Sequence, residues 1–220
     1  MGAERRKRAN GEESRERILD AAGEIAGERG YQGTSIALVS ARSGLPASSI
    51  YWHFTDKDEL IAAVIERSFA HWLEGVGTWL PPKTDSTRRA RLVSGMRRTA
   101  KALAESPDFL RLGLMLALER RPEELTARRL FLQVRAQAYK RLVASYETLF
   151  GDELDKAGAR ALATLTMAAA DGLFIAREIG DSDAQFEASF ELLASAILGA
   201  ADHLASRIDR SSKNRIIRAR

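Results

Sequence analysis

Gly44-Leu45-Pro46-Ala47-Ser48-Ser49-Ile50-Tyr51-Trp52-His53-Phe54, running into Thr55-Asp56-Lys57-Asp58-Glu59-Leu60, is the stretch that decides the reading of this chain. At helical spacing, Ala47, Ile50 and Phe54 share one face and can pack inward. Ser48, Ser49, Trp52 and His53 then point away from the core. A helix with only a packing role does not normally show water a tryptophan beside small hydroxyls. A helix that lies against nucleic acid can use both: small polar residues permit close approach, and aromatics fill space along the sugar-phosphate backbone.

The segments on either side sharpen this. Ser14 to Arg29 reads as an amphipathic helix with Ile18, Ala22 and Ile25 in register, closed by Gly30. Gly33 sits in the connection, and Thr34 or Ser35 is placed to cap a short second helix through Arg42. Ile36 and Val39 are its apolar contacts, and Gly44 ends it just before the Ser48 helix. Two short helices joined by a glycine-bearing turn describe a helix-turn-helix, whose second helix enters the major groove. After it, Asp56 and Glu59 have the spacing of a capping arrangement at a helix start. Lys57 at the first position of that helix opposes the helix dipole unless an anion such as phosphate sits there.

The run Gly30-Tyr31, Thr34-Ser35, Gly44, Tyr51-Trp52-His53-Phe54 and Lys57-Asp58-Glu59-Leu60 closely resembles the N-terminal domain of TetR-family transcriptional regulators, over about residues 14–70. The resemblance implies an all-α homodimer that binds a palindromic double-stranded DNA operator and leaves it when a small-molecule effector enters the C-terminal domain. It implies a repressor. By resemblance, residues 35–54 are the helix-turn-helix segment. Thr34 and Ser35 match phosphate-contacting positions, Ala47, Ser48 and Ser49 match positions near base edges, and Tyr51, His53 and Lys57 match backbone-contacting positions. Trp52 joins the DNA-binding set from its place on the outer face. Two departures stand out. Ala37 occupies a position where many members have arginine, and Pro46 one where many have a capping serine. Ala47, Ser48 and Ser49 offer no long side chain for bidentate base contact, so specificity is expected to rest on DNA shape, water and Trp52.

The 220 residues suffice for one large or two small domains, and no cysteine is present for disulfides or thiol chemistry. The net charge of +4 misleads. Residues 1–70 carry 10 Lys/Arg against 11 Asp/Glu, residues 71–206 carry 18 of each, and residues 207–220 carry six against one. The excess therefore lies in the C-terminal tail, and the proposed head is not basic overall. Within Gly30–Tyr51, however, Arg42 is the only charged residue. Residues 1–13, with Arg5-Arg6-Lys7-Arg8, read as a basic arm that either stays solvated or reaches DNA. No signal peptide is evident, and the longest mostly apolar stretch, Leu162 to Ala176, is interrupted by Asp171 and too short to span a bilayer. A cytoplasmic protein with no membrane partner is expected.

The fold expected is all-α: a three-helix head over residues 14–60, a helical effector-binding and dimerisation domain over 61–208, and a basic tail over 209–220. Helices are read at Asp56–Trp79, Ser86–Glu105, Pro107–Glu119, Pro122–Phe150, Gly158–Ile179 and Ala184–Ile208, with Pro81-Pro82 as a boundary. The last two are dense in small residues, which suits either a four-helix interface between two chains or closure of one chain's own core. An apolar effector pocket is sketched by Trp72, Phe109, Met115, Phe131 and Phe174, with Arg135, Gln137 and Asp171 as polar anchors. Plain core packing is the commoner role for such apolar residues. No cofactor or metal is expected. His53, His71 and His203 lie far apart, no His-Glu-x-x-His occurs, and Gly75-Val76-Gly77 lacks a third glycine and a preceding strand. An all-α enzyme and a helical adaptor that binds protein in place of DNA are the competing classes.

Overall fold

The computed structural model describes residues 2–77, 87–119, 125–180 and 182–218, and not the side chains of residues 2–9 and 208–218. The described residues form nine α-helices and one short 3-10 turn, with no strand among them. The helices are α1 (Gly2–Gly33), α2 (Ile36–Ser43), α3 (Ala47–His53), α4 (Lys57–Val76), α5 (Arg88–Glu105), α6 (Asp108–Leu118), α7 (Thr126–Phe150), α8 (Lys156–Ile179) and α9 (Asp183–Arg218). The expected all-α architecture is therefore present. Pro81-Pro82 lies outside the described residues.

The chain divides into two compact units: Met1–His71 with Ser106–Arg135, and Trp72–Glu105 with Ala136–Arg220. The division differs from a simple cut near residue 60. The first four turns or so of α4, all of α6 and the start of α7 belong with the head. Leu60, Ile61 and Ile65 of α4 are fully buried, as are Ile18, Leu19 and Ile25 of α1 and Ile50 of α3, and Phe109 and Phe131 add the aromatic part of the same core.

The local chemistry of the first unit follows the sequence closely. Gly30 breaks α1 with φ 70° and ψ 179°, a backbone state that favours glycine. A Cβ there would also lie 2.8 Å from Cε of Met115 on α6. Ser35 caps α2, its Oγ accepting from Leu38 N at 3.3 Å, and Gly44 ends the helix in the left-handed conformation. Arg17 of α1 donates to the Ser43 carbonyl at 2.7 Å, satisfying an end group of α2. At the start of α4, Glu59 N donates to Asp56 Oδ1 at 2.8 Å and Thr55 N donates to Glu59 Oε2 at 2.6 Å. Asp56 thus caps α4 as its spacing with Glu59 implied, while Glu59 reaches back to Thr55 one residue earlier, and that backbone bond chiefly holds the Glu59 carboxyl below the usual carboxylate range.

The second unit packs α5 and α8 on α9. Leu92 and Met96 of α5, Leu162 and Phe174 of α8, and Phe186, Phe190 and Ile197 of α9 form its interior. Tyr146 is wholly buried and shares a hydrogen bond of 2.6 Å with Thr166, so its polar tip is satisfied inside the core. Burial pushes that phenol well above its ordinary range. Asp155 caps α8 by accepting from Gly158 N at 2.7 Å, and Ser182 with Gln185 forms a capping pair at α9.

Two expectations need correction. The backbone is helical from Gly2, so residues 2–13, expected as a basic arm, continue α1 backwards. The apolar stretch in the second unit is also longer than the sequence suggested. Lys156–Ile179 is a 24-residue helix, the one among the described residues that is long and apolar enough to cross a membrane by length and composition.

Candidate nucleic-acid interface

The turn Gly44-Leu45-Pro46 sets α3 against α2 and α1. Ile50 is fully buried and Phe54 nearly so, which fixes the inner face of α3. Its opposite face is open: Ser48, Tyr51 and Trp52 are exposed, and Ala47, Ser49 and His53 are partly so. Trp52 is 74% exposed and Tyr51 57%, unusual values for large aromatics in a folded core element. Pro46 supplies no side-chain cap, as its departure from the family pattern implied. The helix is held instead by packing and by short backbone bonds such as Phe54 N to Ile50 O at 2.9 Å.

Trp52 has two neighbours. Its ring meets the edge of His53 with centroids 4.5 Å apart, and a Cβ on Gly11 of α1 would lie 3.6 Å from its Cη2. The backward extension of α1 thus passes beside the indole. His53 faces a cleft of about 470 Å³ lined also by Arg15, Phe54, Glu59, Ala62, Glu66, Arg129 and Gln133. Burial, then the Arg15 charge, hold the imidazole below its ordinary pKa, against a weaker opposing effect of Glu12.

The cations of this unit are largely engaged. Arg42 donates to Glu24 at 3.0 Å and to both oxygens of Glu28 at 3.2 Å, so the one charge within Gly30–Tyr51 is neutralised locally. Arg67 meets Glu16 and Asp20, each at 2.8 Å. Lys57 donates to the Tyr31 carbonyl at 3.1 Å and lies 4.3 Å from the Tyr31 ring centroid. Lys57 remains partly exposed, and an ammonium with three donors retains capacity for an anion.

Thr34 departs from expectation. Its side chain is 2% exposed, and its hydroxyl donates to the Gly30 carbonyl at 2.9 Å. It braces the break after α1 and offers no surface to phosphate. Ser35, exposed one residue on, keeps a position at the surface. Asp58 is a residue that the sequence did not single out. Its carboxylate accepts from Thr126 N at 2.6 Å and from Ala127 N at 3.2 Å, 68 and 69 residues away.

The residues suggested for an effector pocket are divided between the two units. Phe109, Met115, Phe131 and Arg135 belong to the first unit, and Trp72, Gln137, Asp171 and Phe174 to the second. Phe109 packs edge-on against Phe69 with centroids 5.5 Å apart, and Phe131 fills the space over Gly113, where a Cβ would lie 2.0 Å from the ring. These are core contacts. Met115 and Gln137 are exposed. Among the described residues there is also no cluster of three His, Asp or Glu side chains able to hold a metal ion.

Comparison with known proteins matches this geometry. The family described as "Bacterial regulatory proteins, tetR family" matches residues 18–64, the span from α1 into α4. The transcriptional activator FasR of Mycolicibacterium smegmatis is 33% identical over 90 residues, which cover 41% of each chain. A solved transcriptional regulator of Aquifex aeolicus VF5 superposes with a TM-score of 0.66 at 21% identity, covering 84% of this chain and 99% of that one. SmeT, the repressor of the multidrug efflux pump SmeDEF of Stenotrophomonas maltophilia, superposes with a TM-score of 0.64 at 20% identity, covering 84% and 89%. The fold likeness thus runs through nearly the whole of these structures, whereas the sequence match to the curated relative spans about two-fifths of its length.

The described helices and the match at residues 18–64 give the chain a helix-turn-helix head of the kind found in bacterial regulatory proteins. The match to the TetR family is confined to the head, residues 18–64.

Proposed function

We propose that the protein acts as a homodimeric repressor that seats the α3 helices of two chains in successive major grooves of a palindromic operator. The observation that carries this is the outer face of α3, where Ser48, Tyr51 and Trp52 stand exposed on a helix whose inner face is fully packed. Ala47, Ser48 and Ser49 approach base edges. Ser35, Tyr51, His53 and Lys57 meet the phosphate backbone, and Trp52 packs along it. Occupancy of promoter DNA suffices to exclude polymerase, so repression requires no further surface. FasR, similar to this chain over 90 residues, is an activator, so activation is the alternative output. Work on chromosomal DNA places such a protein in the cytoplasm.

Dimerisation is supported by α8 and α9. Leu165, Ala168, Gly172, Ile175 and Ile179 are partly or wholly exposed and recur at alternating steps of three and four along α8. Leu192, Ala196 and Gly199 continue the same rhythm on α9. Ile179 is 81% and Leu192 71% exposed, and a Cβ at Gly172 or Gly199 would meet nothing within 4 Å. Apolar stripes of small and large residues at a 3.5-residue repeat suit helix-on-helix packing in a four-helix interface. The same stripe accounts for the low burial of α8, 28% of its most apolar window. A small-molecule effector is proposed for the second unit, with Asp171 and Phe174 on one face of α8 as a polar and an apolar contact.

Sedimentation with a duplex selected from a randomised pool tests the reading. Two chains per palindromic duplex are expected. Leu192→Asp is expected to give monomers that bind the palindrome far more weakly. A monomeric wild-type protein, or one that selects no duplex at low salt, refutes the proposal.

A further inference from the structure

The N-termini of α6 and α7 share a defect. The first turn of a helix leaves its N–H groups without intrahelical partners, and a polar side chain at the N-cap ordinarily accepts from one of them. Pro107 stands at the N-cap of α6 and makes no side-chain bond. Leu125 stands at the N-cap of α7, its carbonyl accepting from Arg129 N at 3.1 Å, and its side chain has no acceptor. Neither N-cap residue carries a side-chain acceptor.

Both are capped by α4. Ser68 Oγ accepts from Phe109 N at 3.1 Å in α6. Asp58 Oδ2 and Oδ1 accept from Thr126 N and Ala127 N in α7. One carboxylate thus takes both N–H groups of the first two residues of α7. It adds the favourable field of an anion at the start of a 25-residue helix. The same carboxylate lies in the first turn of α4, which favours it for the same reason. Asp58 is four residues beyond Phe54, the buried residue that ends α3, and adjoins Lys57.

We propose that Asp58 is a positioning residue for the recognition helix: by capping α7 from α4, it fixes the start of α4, and with it the seat of α3 and Lys57, to the N-terminus of α7. Ser68 is the second point of the same splint. The argument rests on the reading of α3 as a DNA-binding helix. It adds that the orientation of α3 is held by a carboxylate that touches no DNA. An apolar N-cap on a helix is the sequence trace of the arrangement, because the missing acceptor must come from elsewhere in the fold.

The decisive variant moves the cap without removing it. Asp58→Ala combined with Leu125→Asp keeps the net charge and gives α7 a local N-cap, but disconnects α7 from α4. The melting temperature is expected to return close to that of the wild type, above that of Asp58→Ala alone. Operator affinity at fixed salt is expected to stay down by about tenfold, because the orientation of α3 is no longer held. Hydrogen exchange at the Tyr51 and Phe54 amides of the DNA-free protein is expected to rise by about fivefold or more. Wild-type affinity and wild-type exchange in the double variant overturn the proposal and leave Asp58 a cap only. If the double variant folds poorly, Asp58→Asn serves, since one amide oxygen can replace only part of the carboxylate. It must show a smaller shift of the same sign in both readouts, and no shift overturns the proposal. If the wild-type protein selects no duplex, the DNA reading falls, while the exchange measurement still decides the tie between α4 and α7.

Discussion

Lys57 is the residue at which a structural and a DNA-binding role can be separated by one slope. In the DNA-free protein its ammonium clasps Tyr31, donating to the carbonyl at 3.1 Å and lying 4.3 Å from the ring centroid. Lys57→Met keeps most of the apolar stem and removes the charge. Loss of the hydrogen bond costs about 0.5–1.5 kcal/mol of stability, and loss of the cation–π contact about 0.5–1 kcal/mol more. That cost belongs to the protein alone, and if clasping is the only role of Lys57 it shifts operator affinity by a similar factor at every salt concentration. A phosphate contact behaves differently. Each one releases counterion, lowering the magnitude of the log–log salt slope by about 0.9 when removed, so two copies per dimer lower it by about 1.8. Between 50 and 200 mM salt, the wild type should therefore lose about twelvefold more affinity than the variant does. Fluorescence anisotropy with a labelled operator across that range reads both quantities. Parallel lines for the two proteins would refute the phosphate contact and leave Lys57 as a clasp.

Further outcomes follow from single contacts. Gly113→Ala gains about 1 kcal/mol of helix propensity but drives a methyl into the buried Phe131 ring, an overpacking cost of typically about 1–3 kcal/mol, so net destabilisation in urea is expected. In a Phe131→Ala background the sign should reverse, and a stabilising Gly113→Ala in the wild type would contradict the packing described. Thr34→Val should cost about 1 kcal/mol of stability through its lost bond to Gly30 and leave the salt slope of operator binding unchanged; a changed slope would restore Thr34 to the interface. His53 is held below its ordinary pKa in the free protein, so the unfolded chain takes up its proton first. Its contribution to stability is therefore full above the ordinary value of 6.5 and is lost as pH falls below it. A phosphate beside it favours the charged form, so operator affinity should rise as pH falls from about 7.5 to 6. His53→Asn should flatten both trends, and an unaltered pH profile in that variant would remove His53 from both roles.

What could be read from the chain and what could not divide along a physical line. Interactions between near neighbours were legible. Gly44 in a left-handed turn, Ser35 as a cap, the Asp56–Glu59 pair and the inward face of Ile50 and Phe54 each follow from residue type and helical spacing. Interactions across the fold were not. Nothing local says that Thr34 points inward while Ser35 points outward; the break at Gly30 decides it. Arg42 looked like the charge of the helix-turn-helix until α1 brought Glu24 and Glu28 to it. Asp58 was one acid among three, and its partners lie 68 and 69 residues away. For the effector pocket, periodicity marks apolar faces but does not distinguish a wall from a core. Phe109 and Phe131 prove to be core contacts.

The central claim is that the exposed face of α3 reads bases, and exchange of one reader tests it most directly. Ser48→Arg places a bidentate donor where a short hydroxyl stands, and arginine pairs best with guanine in the major groove. Selection from a randomised duplex pool, run in parallel with the wild type and the variant, should give two palindromes that differ at the symmetric base pairs facing residue 48, with guanine gained there. Identical palindromes from both proteins would contradict the account.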